Sequence, residues 1–281
     1  MSDVTIIDFI SYSLGDNIAQ APYADLYQLK HGGKVYARTI WHHIFKSTNP
    51  NVEFVGLNFG MSGVNNVPLP YAFRKTAIQQ TGCGMLGLDY KEVRPVINTD
   101  GPTKFNKKKK YVCISIQATL QMKYWNNQSG WDKTVKYLKN KGYDVYCIDK
   151  DYQFGIKEKM NTCPKGAINE CGAYPIEYRI AQLQGCEFFI GLSSGLAWLA
   201  WALNKKVVMI SGCTNADNEF SCFRVINPDV CHGCLNDETI NNRDGVKTGW
   251  MYCPRNKNFE CTRQIQFEAV KTAIDQCIAA K

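Results

Sequence analysis

A chain of 281 residues, 45% hydrophobic and 21% charged, has the composition of an ordinary globular protein and is long enough for two modest domains. No apolar run reaches the roughly 18 residues a membrane helix needs, and the opening MSDVTIIDFISYSLGDN has no basic leader and carries Asp8 inside its apolar run. A cytoplasmic address with no membrane span is therefore expected. The net charge of +8 suits an anionic partner but selects none, because five lysines between Lys104 and Lys110 supply much of it, and such a block reads as a solvated linker.

In chain order, VTIIDFI is a β-branched run that predicts a buried parallel strand, followed by the loop SYSLGDN. IAQAPYADLYQLKHGG has helical spacing, with Ala19, Tyr23, Leu26 and Leu29 near one face and Gly32 and Gly33 as the stop. KVYARTI predicts a second strand, HHIFKST a short helix, NVEFVGLNF a third strand and YAFRKTAIQQTGCGMLGL a helix running into a loop. The polar, basic stretch RPVINTDGPTKFNKKKK marks a boundary between domains 1–104 and 105–281.

The rhythm then restarts. KYVCISIQAT, YDVYCID, EFFIGL and KVVMIS predict strands, and WDKTVKYLKNKG, PIEYRIAQLQGC and SSGLAWLAWALNK predict helices. Residues 151–175 read as irregular, and TRQIQFEAVKTAIDQCIAAK as a terminal helix of the kind that often crosses back onto the first domain of a two-domain enzyme. Such alternation predicts α/β architecture with parallel sheets wound by crossovers. Ligands are then expected at the carboxyl ends of the strands, in a cleft between the domains.

Four features could carry chemistry. Asp16, just after the first strand, is either a helix N-cap or a general base facing an acceptor hydroxyl. Ser193, Ser194 and Gly195 join a strand to a helix, which makes either a plain cap or an anion nest; no Walker or GxGxxG pattern surrounds them. Lys123, beside Tyr124 and Trp125, is either a surface lysine or a phosphate ligand. Thirteen cysteines are many for a cytosolic chain. Cys83, Cys113, Cys147, Cys186 and Cys277 are scattered and read as small buried hydrophobes. Cys231 and Cys234 form a CxxC knuckle, with Cys253 and Cys261 downstream, a set suited to a tetrahedral four-thiolate site for iron or zinc. Trp198 and Trp201 are expected in the core, and His232 at the surface or behind the metal ligands.

In this order, SLGD, KYW, FFIGLSSGLAWLAWAL and the four-cysteine finger resemble the bacterial autotransporter heptosyltransferases, iron-containing GT-B enzymes related to the lipopolysaccharide heptosyltransferases. The resemblance covers nearly the whole chain and is most specific from Tyr178 to Cys261. It implies two Rossmann-like domains with a cleft between them, a metal finger at about 213–262 and transfer of heptose from ADP-heptose to a hydroxyl, such as a protein serine. It further implies Asp16 as catalytic base, Lys123 at the nucleotide-sugar phosphates and Ser193, Ser194 and Gly195 around the diphosphate. Cys231, Cys234, Cys253 and Cys261 match the iron ligands, and Arg179 is the candidate catalytic arginine. No metal is expected at the reaction centre. The family carries an N-terminal module ahead of its core, whereas the first strand here starts at about Val4, which leaves another protein, a glycan or a lipid-linked sugar as alternative acceptors. Assembly into a homo-oligomer is part of the same expectation.

Two other classes compete. A nucleic-acid-binding protein with a zinc ribbon would use the charge, the lysine run and the CxxC, but its aromatics would have to lie among the lysines, and they do not. A sugar-nucleotide-binding protein without catalysis would bind the donor and never turn it over.

Overall fold

The structure, a computed structural model, describes residues 3–69, 77–101, 103–155, 160–240 and 252–280. The chain divides into two compact units, Met1–Pro102 and Thr103–Lys281; the sequence pattern had placed that boundary after residue 104.

The first unit contains β1 (Val4–Phe9), α1 (Leu14–Gln20), α2 (Pro22–His31), β2 (Lys34–Arg38), β3 (Phe45–Lys46), β4 (Val52–Val55), β5 (Asn65–Leu69), α3 (Ile78–Met85) and β6 (Val96–Ile97). Four strands form a sheet in the order β4-β2-β1-β5, with every pairing parallel. Ile6, Ile7 and Phe9 of β1 are buried at its centre.

Three elements differ from expectation. The first predicted helix is two, because Pro22 has no N–H to continue the ladder and instead starts α2; Leu29, expected on the inner face, is 72% exposed. HHIFKST forms a 3-10 turn over His42–Ile44 and then β3, which pairs antiparallel with β6 and packs Phe45 on Phe54. The polar NNVPL is β5, an edge strand where Pro68 costs no ladder bond and only Leu69 is buried. Of the helix expected from residue 71, the residues up to 76 lie outside the described residues, and α3 covers the later part.

The second unit contains β7 (Tyr111–Ile114), α4 (Gly130–Asn140), β8 (Asp144–Cys147), β9 (Gln153–Phe154), β10 (Asn161–Thr162), β11 (Ile168–Asn169), α5 (Ile176–Gly185), β12 (Phe189–Leu192), α6 (Gly195–Ala202), β13 (Val207–Ile210), β14 (Phe223–Val225), α7 (Glu260–Arg263) and α8 (Phe267–Ala279). Its six-stranded sheet runs β11-β8-β7-β12-β13-β14, parallel throughout. β7, β12 and β13 are buried at every residue, as a sheet covered on both faces requires. The segment expected to be irregular holds the β9–β10 hairpin and the edge strand β11.

The terminal helix, α8, packs on its own unit. Val270, Ala273, Ile274 and Cys277 fall at helical spacing on α8 and enter the core of the second unit, and the Tyr137 hydroxyl of α4 donates to Asp275. No helix among the described residues is long and apolar enough to cross a membrane.

What positions the site is the winding. β7 pairs with β8, its successor, on one side and with β12 on the other. The chain therefore moves away from the β7/β12 pair in both directions, which makes the carboxyl ends of these two strands a topological switch point. In the first unit β1 holds the equivalent place between β2 and β5.

Packing at the start of α4 is tight. A Cβ on Gly130 would meet the Trp125 ring at 2.4 Å, and the buried indole cannot swing aside because its Nε1 donates to Ile265 O at 2.9 Å. Gly130→Ala is expected to destabilise the protein by about 1–3 kcal/mol through overpacking, measured by denaturant or thermal unfolding.

Candidate active site

The loop after β1 is held by its own side chains. Buried Ser11 accepts from Ser13 N at 3.1 Å and donates its hydroxyl to Asp16 Oδ2 at 2.7 Å. Asn17 Nδ2 donates to Ser11 O and Ser13 O at 2.7 and 2.8 Å, and the Thr39 hydroxyl donates to Asn17 Oδ1. Ser13, and not Asp16, occupies the N-cap of α1. Asp16 stands in the first turn, where the helix dipole favours a carboxylate, and is half-buried and oriented by Ser11. A hollow of about 530 Å³ in the same unit is lined by Asp3, Thr5, Gly33 and Asn65, at the amino ends of the strands and so at the edge opposite Asp16.

In the second unit, two loops leave the switch point. The one after β7 is anchored by Asp149, a buried carboxylate that accepts from Ser115 Oγ at 2.6 Å, Ile116 N at 2.8 Å and Gln117 N at 3.2 Å. Burial pushes its pKa up to about 6 against the pull of these hydrogen bonds. The loop then makes a 3-10 turn over Gln121–Lys123. The Lys123 ammonium is half-exposed, lies within electrostatic reach of Cys213 and makes no hydrogen bond or ion pair among the described residues.

The loop after β12 is the turn through Ser193, Ser194 and Gly195. Ser193 is committed to structure, since its hydroxyl donates to buried Glu219. Ser194 is the N-cap of α6, yet its Oγ caps no N–H and is buried without a hydrogen-bond partner. The first N–H groups of α6 have no acceptor one turn back. A hydroxyl, a helix start and a lysine ammonium without a partner among the described residues thus border the carboxyl edge of one sheet, groups of the kind that suit an anion. Trp198 and Trp201 lie in the core around Phe220, as expected.

Arg179 does not join this group. It is 4% exposed, and its guanidinium donates to Glu170 O, Asp149 O, Gly172 O and Gln182 Oε1 at 2.7–2.9 Å. Every one of these bonds is internal, so in this structure Arg179 acts as a strut. The sequence pattern gave the helix but could not show that three backbone carbonyls converge on it.

The cysteine lobe follows β13. Its knuckle turns at Gly233, where φ is +71° and a Cβ would meet Asn215 Oδ1 at 2.2 Å. Gly233 N and Leu235 N donate to Gly212 O and Cys213 O at 2.9 and 2.8 Å. Burial first, and then the charges of Cys261, Cys231 and Cys253, push the Cys234 thiol up to about 12; Cys261 rises to about 12 for the same reasons. The four thiols feel one another's charge, but among the described residues no three of them gather within 4.8 Å as the ligands of one ion would. His232 is exposed, with Nδ1 2.9 Å from Val230 O. The lobe also supports the lysine loop: Met122 packs with Cys213, Cys234 and Phe259, and Asn126 Nδ2 donates to Thr262 Oγ1 at 2.9 Å.

A parallel α/β sheet with a topological switch point is the architecture in which ligands bind at the carboxyl ends of the strands. Residues 76–224 match glycosyltransferase family 9 (heptosyltransferase), and the chain belongs to that family, as a glycosyltransferase of the autotransporter heptosyltransferase group. It is similar to the autotransporter heptosyltransferase BAHTCr of Citrobacter rodentium, at 35% identity over 98% of this chain and 71% of that one. Against TibC of Escherichia coli O78:H11 the identity is 35% over 96% of this chain and 70% of the relative. The crystal structure of TibC, described as an iron-containing dodecameric glycosyltransferase, superposes with a TM-score of 0.88 at 31% identity, covering 98% of this chain and 76% of that one. BimC of Burkholderia thailandensis, named an inactive autotransporter heptosyltransferase, is 31% identical over 73% of this chain and 49% of its own length.

Glu219 links the serine turn to the sheet, pairing with Arg224 at 2.9 Å while accepting from Ser193 and Asn218. Glu219→Ala would leave a buried guanidinium uncompensated, and a loss of about 3–5 kcal/mol in unfolding free energy is expected from chemical denaturation.

Proposed function

We propose that this glycosyltransferase moves heptose from ADP-heptose to a hydroxyl acceptor, with protein serine as the acceptor class. One observation carries the donor reading: Lys123, unpaired among the described residues, and the unpartnered Ser194 hydroxyl leave adjacent parallel strands at the switch point of a single sheet. TibC, matched at a TM-score of 0.87 in the second of its structures, is described in complex with ADP-D-beta-D-heptose, which supports the same donor here.

The division of labour is that of GT-B enzymes, with the second unit holding the donor and the first supplying the base. As the bond from the sugar to the diphosphate breaks, negative charge grows on the leaving phosphate. Lys123, the Ser194 hydroxyl and the N–H groups that open α6 neutralise it without a metal at the reaction centre. Asp16, oriented by Ser11, takes the proton of the acceptor hydroxyl while its oxygen bonds to the sugar. Iron is assigned to Cys231, Cys234, Cys253 and Cys261, a reading supported by the description of TibC as iron-containing; the ion would cross-link the lobe and take no part in transfer. A homo-oligomer, as TibC is described to form, belongs to the same reading.

The test uses the purified full chain. ADP-heptose is expected to raise the unfolding temperature, where UDP- and GDP-sugars do not. Asp16→Ala is expected to lower transfer by about 10²–10⁴-fold while the ADP-heptose shift persists. Undiminished transfer by that variant would remove Asp16 as the base. Binding without turnover by the unaltered chain would place it with BimC as a donor-binding protein.

Metal loss gives a separate check. Cys253→Ser is expected to remove about one equivalent of iron per chain and, through the packing of Met122 on the lobe, to weaken donor binding. Iron content and the donor-induced thermal shift measure both.

A further inference from the structure

A second group of thiols lies apart from the cysteine lobe. Cys147 ends β8 and is buried; Cys163 follows β10 and Cys171 follows β11, both half-buried. Their three sulfurs lie within 4.8 Å of one another, the one such trio of potential ligands among the described residues. Cys147 Sγ and Cys171 Sγ are 3.6 Å apart. A zinc ion with bonds of about 2.3 Å sets neighbouring sulfurs about 3.8 Å apart across a tetrahedral edge. The trio is thus already near metal-binding geometry, on segments that the fold alone brings together.

The surroundings fix that geometry. Glu170 N donates to Cys147 O and Gly172 N to Asp149 O, each at 3.0 Å, which locks the Cys171 backbone beside the end of β8. Arg179 clamps the carbonyls on either side of Cys171, Glu170 O at 2.8 Å and Gly172 O at 2.7 Å. Cys163 N donates to Tyr152 O at 3.0 Å, which sets the third sulfur from the β9–β10 hairpin. Cys147 Sγ also lies 3.4 Å from Asp149 Oδ2, a carboxylate placed to steady a proton leaving a thiol.

We propose that Cys147, Cys163 and Cys171 form a three-thiolate site for a thiophilic d10 cation, with zinc as the ion to test. Thiolates select such soft ions over magnesium or calcium. Three protein ligands leave the fourth position to a solvent molecule, on the side where Cys163 and Cys171 are half-exposed. The site needs no other reactant: the thiols release their protons to solvent as the ion binds, with no change of oxidation state.

The full chain, purified under reductant without oxygen, is loaded with zinc and freed of excess. Cys163→Ser is expected to hold about one zinc fewer per chain than the unaltered protein. A Cys231→Ser/Cys234→Ser protein is expected to keep that zinc, which separates this site from the iron finger. In the unaltered chain, zinc is expected to shield Cys163 and Cys171 from alkylation, and a chelator to restore labelling; this readout stands even where Cys163→Ser fails to fold. Equal zinc in Cys163→Ser and the unaltered chain would overturn the proposal. So would alkylation that zinc does not slow, or a Cys147–Cys171 disulfide in the oxygen-free protein.

Discussion

The second unit depends on two charged groups that it buries together. Asp149, at the end of β8, gathers Ser115 and the amides that follow β7. Arg179 collects the carbonyls of Asp149, Glu170 and Gly172. Each group is costly to take out of water, and each is held there by hydrogen bonds that saturate it. Between them they tie the ends of β7, β8 and β11 into one rigid carboxyl edge, from which the lysine loop and the thiol trio both extend.

That edge explains how one chain can carry a glycosyltransferase fold and a cysteine lobe without the two being separate devices. Met122, next to Lys123, is buried against Cys213, Cys234 and Phe259. Trp125 and Asn126 bond to Ile265 and Thr262 beyond the last cysteine of the lobe. A half-exposed lysine on a free loop would sample many positions; packed this way, its stem starts from a fixed floor. The lobe limits the motion of this loop through packing and hydrogen bonding.

Much of the fold was legible because buried parallel strands are continuous apolar runs. YVCI, FIGL and VVMI could be read directly, and the helices between them left little choice of topology. β5 was not legible, since an edge strand of NNVPL has neither alternation nor apolar content to betray it. The break at Pro22 was visible as a residue but was overruled by the spacing around it. In the candidate site, the CxxC, Asp16, Lys123 and the serine turn stand out because each is local. The trio of Cys147, Cys163 and Cys171 has no spacing signature, because only the pairing of β11 with β8 and the β9–β10 hairpin join it. The clamp made by Arg179 was illegible for the same reason: its acceptors come from segments that the sequence does not align with it.

The bond from Trp125 to Ile265 spans 140 residues. Contacts of such separation must meet loop-closure entropy before they stabilise anything. The lysine loop therefore lacks this anchor while the residues of the central strands are being made. Until Ile265 has left the ribosome, the indole of Trp125 lacks its acceptor, and the carboxyl edge of the sheet has an unfinished rim.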